Sequence, residues 1–221
     1  MARLREVSRS EVTSQEILDI FEKLFGDRDP TVEPGTASGT PGDWWTVFAL
    51  EPELFHLMRL RHFWQYSPNR ELDPVLRELA LARTGWMVGS QFVFSQKCKS
   101  MRNVGISEDK VAAIPTWSSS SCFTPLERLV LAYTEDLVLG GRVPEERMTA
   151  LRESLTDVAV LELTFMVTTY IGSSTICRAL HLEYDKRPEP VVEVAAPTGQ
   201  PEDWFARMHD SIAGLDAESS V

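Results

Sequence analysis

Cysteine, histidine and clustered basic charge are all scarce in this chain, and each shortage removes a class of function. Only Cys98, Cys122 and Cys177 occur among 221 residues, none at CxxC or zinc-ligand spacing, so neither a disulfide framework nor a structural metal site is expected. So low a count fits a reducing cytoplasm. The histidines are His56, His62, His181 and His209, spread so widely that a metal centre would need ligands from distant segments. Lys and Arg total 22 against 33 Asp and Glu, a formal charge of −11, and no stretch interleaves basic residues with aromatics as nucleic-acid binding requires. Uninterrupted apolar runs are missing too. The opening MARLREVSRSEV is charged, and the richest apolar stretch, residues 158–171, contains Glu162 and several threonines, so neither a signal peptide nor a membrane span is expected. Strand-like alternation reaches no further than VVEV, which excludes sheet architectures.

What remains is helical periodicity with strong punctuation. TSQEILDIFEKLFG opens on a capping box, Thr13 to Glu16, and closes on Gly26, with Ile17, Ile20, Phe21, Leu24 and Phe25 along one face. Residues 27–42 are rich in Pro and Gly and read as a wrapping surface connection. From Asp43 a run of aromatic and aliphatic residues leads into a helix starting near Glu51, where Pro52 is accommodated. Asp73 then Pro74 signals a helix to about Val88, broken by Gly89; Ser90 begins another to Val104, and Ser107 caps a short one that Pro115 stops. Thr124, Pro125 and Glu127 repeat the capping box for a helix ending at Gly140 and Gly141, and Pro144 opens one to Leu155. Thr156 and Asp157 start the longest helix, to about Tyr184. Val160, Leu161, Thr164, Phe165 and Thr168 form a wide apolar stripe on it, and Gly172 is a possible bend. After Asp185 four prolines and no periodicity indicate an extended arm, followed by a short helix with Trp204, Phe205, Met208 and Ile212 on its apolar face. The expected organisation is an N-terminal helix and arm (1–42), a helical domain (43–185) and a C-terminal arm (186–221), which suits docking on another subunit.

The segment LDPVLRELALARTGWMVGSQFVFSQKCKSMRNVGISEDKVAAI, residues 72–114, resembles the core helical hairpin of the carboxymuconolactone decarboxylase and alkyl hydroperoxidase D family. In that family a glutamate following an arginine opens the site helix, a Gly-Ser or Gly-Cys step ends it, and a helix closing on a G-[IL]-S turn comes next. The resemblance implies an all-α, alkyl hydroperoxidase D-like fold, assembly into trimers or multiples of them, and no cofactor. Redox members carry Glu, eleven residues, then Cys-x-x-Cys-x-x-x-His. On this sequence those positions fall on Glu78, Ser90, Val93 and Lys97. Serine and valine cannot cycle through a disulfide, so thiol peroxidase chemistry is excluded at these positions. Cys98 is one residue, roughly 100°, around the helix from Lys97 and reads as a small buried hydrophobe.

Decarboxylase members also lack the cysteine pair and place a histidine where Lys97 stands. Two roles for Lys97 stay open. It serves chemistry, as a cation for a substrate carboxylate or enolate or as an acid–base partner with Glu78 as proton shuttle, or it forms an ion pair bridging two helices. Ser90 is a helix cap whose hydroxyl and neighbouring amides suit an anion. Trp86, Phe94 and Tyr170 are the candidate apolar wall of a substrate site, against the alternative that they are core. The expected protein is a cofactor-independent small-molecule enzyme of lyase (decarboxylase-like) or isomerase type acting on a carboxylated substrate. The alternative is a binding or scaffold protein that kept the fold and lost the relay.

Overall fold

A computed structural model describes residues 2–33 and 43–182 of the chain. Among these residues every regular element is helical. The expected C-terminal arm and its short helix, and most of the wrapping connection, lie outside the described residues. Two compact units are present, one ending at Asn69 and the other beginning at Arg70.

In the first unit, α1 (Gln15–Phe25), α2 (Asp43–Phe48) and α3 (Pro52–Tyr66) follow a 3₁₀ turn at Arg9–Glu11. The capping expectation for α1 is off by one residue: Ser14, not Thr13, is the N-cap, while Glu11 reaches back to the Ser8 amide at 3.0 Å. Adjacent hydroxyl residues offer the chain two starts, and the local pattern does not choose between them. The apolar face of α1 is buried as its spacing requires, Ile17, Ile20, Phe21, Leu24 and Phe25 all lying in the interior. Glu51 caps α3 with Pro52 in the first turn. Glu16 joins α1 to α3 through His56 Nδ1 at 3.0 Å and the Arg59 guanidinium.

The second unit is built on α4 (Pro74–Val88) and α5 (Gln91–Asn103), an antiparallel hairpin turned by Gly89 and Ser90. Gly89 takes the left-handed conformation, φ 77°, that ends α4. Gly85 lets the two helices touch: a Cβ there would lie 2.9 Å from the Phe94 amide nitrogen and 3.0 Å from Val93 Cγ1. Next come α6 (Glu108–Ala113), α7 (Pro125–Val138), α8 (Glu145–Ser154) and α9 (Asp157–Leu180). α6 ends at Ala113, just before Pro115, and the chain continues in a 3₁₀ segment Ile114–Ser119 that is kinked at Thr116. One face of α4 and α5 joins α6, the 3₁₀ segment and α7 in a core that includes Leu79, Ala82, Phe94, Cys98, Met101, Val111, Ile114, Trp117 and Leu131.

α9 lies alongside α4. Glu162 near its start accepts the Leu72 amide at 2.8 Å, and Arg178 near its end donates to the Val88 carbonyl at 2.8 Å. Both pairs are ninety residues apart in sequence, so the two helices run parallel over that length. α9 is long and apolar enough to cross a membrane by length and composition, but half of it is buried within the protein. It ends at Leu180, with His181 in the left-handed conformation, rather than at Tyr184. The stripe read from its sequence is also not its core face. Val160 is buried, whereas Leu161 is 69% and Phe165 45% exposed; the core face is instead Ala159, Leu163, Met166, Val167, Tyr170, Ser174 and Cys177. A helix apolar on most sides leaves its orientation to tertiary packing.

Candidate active site

Glu78 stands on the second turn of α4, where the Asp73 carboxylate caps the Val75 and Leu76 amides and fixes the start of the helix. Its carboxylate is fully buried. Lys97, on the second turn of α5, reaches it from the antiparallel partner, Nζ to Oε2 at 3.1 Å, with the lysine only 3% exposed. The other carboxylate oxygen, Oε1, accepts from Arg77 Nε at 2.7 Å. Arg77 is buried as well. Three charged side chains thus gather in the interior, two cations on one carboxylate. Such a group is costly to desolvate and has to be held by direct hydrogen bonds.

α9 supplies a third wall. Lys97 Nζ lies 4.7 Å from the centroid of the Tyr170 ring, within cation–π range of its negative face. Glu78, Lys97 and Tyr170 are therefore brought together from three helices. The remaining candidates are placed differently. Ser90 is buried and caps α5, its hydroxyl accepting from the Val93 amide at 3.3 Å. Phe94 belongs to the apolar core and meets Trp86 edge-on at 5.2 Å. Trp86 is 41% exposed. Cys98 and Cys177 are fully buried. Among the described residues no three His, Cys, Asp or Glu side chains gather in a way that could hold a metal ion.

Arg77 is the member that reading the sequence missed. Consecutive residues point about 100° apart around a helix, so spacing argues against an Arg77–Glu78 contact. The guanidinium reaches its neighbour because a long stem can fold back along the helix. The only signal was the Arg-Glu dipeptide itself. A second omission is the Tyr133 hydroxyl, 2.6 Å from Thr164 Oγ1, which ties α7 to α9.

The other buried carboxylates of this unit are arranged for structure. Glu127 accepts the Thr124 amide at 2.7 Å and the Lys110 ammonium at 2.6 Å. Burial raises its pKa, but these hydrogen bonds and the lysine charge outweigh it and hold the carboxyl below its ordinary value. Glu162 holds the Leu72 amide and Arg70, the latter at 3.2 Å.

Comparison with known proteins agrees with this architecture. The model of the carboxymuconolactone decarboxylase family matches residues 52–136. An uncharacterized Escherichia coli protein, YnjA, is 30% identical over 129 residues, covering 58% of this chain and 69% of its own. YdfG of Bacillus subtilis, also uncharacterized, is 23% identical over 105 residues, 47% of this chain and 71% of its own. Among solved structures, an alkylhydroperoxidase AhpD-core, peroxidase-related protein of Ralstonia eutropha superposes with a TM-score of 0.65 at 15% identity, over 94% of this chain and 96% of that one. The apo debrominase Bmp8 gives 0.61 at 13% identity, over 96% of each chain. The structural matches speak for the fold; with the sequence matches and the helical hairpin that carries Glu78 and Lys97, they make the chain a member of the carboxymuconolactone decarboxylase family.

Proposed function

We propose that this protein is a cofactor-independent enzyme acting on a small carboxylated molecule by proton transfer, of lyase or isomerase type, without thiol peroxidase activity. The observation that carries the reading is the buried cluster of Arg77, Glu78 and Lys97. Replacing buried ion groups by apolar side chains is often neutral or stabilising, so stability alone gives little reason to keep three of them in an interior. Such clusters are a mark of functional sites. In this reading Glu78 takes a proton from a carbon acid and returns it to the adjacent atom of the product. Lys97 holds the negative charge that develops on the substrate oxygen, and Arg77 keeps the carboxylate oriented. Tyr170 is the apolar platform beside the cation. Ser90 offers its hydroxyl to a second anionic group, and Trp86 with Phe94 walls the far side of the hairpin. Ser90 and Val93, at the positions of the family's cysteine pair, speak against the peroxide chemistry of thiol relatives. A cytoplasmic location and a homo-oligomeric state belong to the same reading.

A scaffold reading has one observation in its favour. Glu78 and Lys97 are almost completely buried and engage each other directly. The two readings separate in deuterated water with a panel of small 2-oxo and lactone carboxylates followed by proton NMR. An enzyme exchanges or converts at least one of them, and Glu78→Gln abolishes it. Exchange nowhere in the panel, or exchange indifferent to Glu78→Gln, supports the scaffold.

A further inference from the structure

Serine and threonine side chains within α9 follow one rule with one exception. Thr164, Thr168, Thr169, Ser173 and Thr175 each donate to a backbone carbonyl three or four residues earlier, at 2.7–3.0 Å. A helix satisfies in this way a hydroxyl that has no other partner. Ser174 breaks the rule. It is fully buried, and among the described residues its oxygen has no hydrogen-bonding partner. A buried hydroxyl in that state costs free energy that an alanine of nearly the same size would not. Packing therefore accounts for a small residue at 174 and not for its oxygen.

The place of Ser174 gives the oxygen a use. Residues four apart share one side of a helix, so Ser174 follows Tyr170 on the core face of α9, one turn and about 6 Å further along. Tyr170 is the residue whose ring lies 4.7 Å from Lys97 Nζ. The two hydrogen bonds that tie α9 to α4, Leu72 with Glu162 and Val88 with Arg178, share one register, which sets Tyr170 level with Ala80 and Ser174 level with Thr84. The Thr84 hydroxyl is committed to the Ala80 carbonyl at 2.8 Å. The other buried hydroxyl without a partner among the described residues, Ser95, stands two residues before Lys97, roughly 200° around α5, and does not share its face.

We propose that Ser174 is a substrate-binding residue whose hydroxyl donates to an uncharged carbonyl or hydroxyl oxygen of the substrate, about 6 Å from the group that engages Lys97. This assignment rests on the enzyme reading above and extends it to the substrate's length and second polar group. The acidic end belongs at Lys97. An uncharged group suits Ser174 because the cations near its level are committed elsewhere, Arg83 to Glu135 at 2.7 Å and Arg178 to the Val88 carbonyl, so a second buried carboxylate would go uncompensated. An oxo or hydroxy acid about six carbons long, with the ketone or hydroxyl near its far end, has that reach. A buried hydroxyl that waits for this oxygen discriminates against the analogue that lacks it.

Isothermal titration of the full chain with 5-oxohexanoate and with hexanoate, which differ by one ketone oxygen, tests this alongside thermal unfolding of Ser174→Ala. The wild type should bind the oxo acid about tenfold tighter than hexanoate, and Ser174→Ala should bind the two alike, with its affinity for hexanoate unchanged. Lys97→Met should weaken both acids together. Without ligand, Ser174→Ala should melt at the wild-type temperature or a few degrees above it, because it removes a buried oxygen that has no partner. A fall of more than about 4 °C means that the hydroxyl is bonded within the protein, and overturns the assignment. So does a preference for the oxo acid that survives Ser174→Ala, or a wild type that has no preference or binds neither acid. The enzyme reading fails separately. Exchange in deuterated water that Glu78→Gln abolishes and Ser174→Ala leaves unchanged in rate and KM removes Ser174 from the site and keeps the enzyme. Exchange nowhere, with the Ser174-dependent preference intact, removes the enzyme and leaves Ser174 as the ligand contact of a binding protein.

Discussion

Glu78 and Glu162 are both buried glutamates of the α4–α9 unit, yet their partners differ in kind. Glu162 accepts a backbone amide, that of Leu72, and one arginine. It fastens the entry of α4 to the first turns of α9, a role any fold needs. Glu78 is held by two side-chain cations, Arg77 and Lys97, with the Tyr170 ring over the second. A carboxylate that completes backbone hydrogen bonding is architecture. One held between two basic side chains from facing helices is suited to a proton or to charge that develops during a reaction.

Breaking the structural glutamate should have the largest effect. Glu162→Ala removes the acceptor of the Leu72 amide and one partner of Arg70, and should destabilise the protein by about 2–4 kcal/mol, read from urea or thermal unfolding. A loss below about 1 kcal/mol would mean that Glu162 is no anchor and would remove the contrast. Gly85→Ala comes next. Its Cβ would press on the backbone of Phe94, so the α4–α5 seam has to open, at about 1–3 kcal/mol. Because that seam sets the reach of Lys97 to Glu78, the variant should lose turnover out of proportion to stability if the pair is catalytic.

The smallest effects are those of pH, and they have opposite signs in the two units. Burial and the nearby Glu6 charge push Asp43 of α2 up to about 6. A carboxyl whose pKa is higher folded than unfolded binds more protons in the native state, so this group subtracts stability as pH rises from about 4 to 6. Glu127 is held low by Lys110 and the Thr124 amide, so its contribution is present above the ordinary carboxyl value and is lost as pH falls below it. Melting curves of Asp43→Asn and Glu127→Gln across pH 3–7 check both signs. Asp43→Asn should flatten the decline between pH 4 and 6.

Helix starts were legible where a side chain and a proline agree. Asp73-Pro74, Thr124-Pro125 and the Pro144 start are all found where the sequence puts them. Each combines an acceptor for free amides or a preset φ with a break in the preceding pattern, and both are local properties. The face of α9 was not legible. Apolar residues occupy most of its circumference, so periodicity assigns Leu161 and Phe165 to the core as readily as Leu163 and Met166. The Glu78–Lys97 meeting was legible only through the family pattern, since nothing local joins residues nineteen apart across a helical turn. Arg77 was hidden by its adjacency to Glu78.

The central claim is that Lys97 is retained for chemistry and not as a brace between α4 and α5. A double-mutant cycle of Lys97→Met, Glu78→Gln and the combined variant, followed by thermal unfolding, tests it most directly. Because Glu78 keeps Arg77 at 2.7 Å when Lys97 is removed, a neutral pair remains, and Lys97→Met is expected to cost less than about 1.5 kcal/mol, with near-additive effects in the cycle. A cost of about 3 kcal/mol or more for Lys97→Met, largely recovered when Glu78→Gln is added, would make the pair a structural brace and contradict the account.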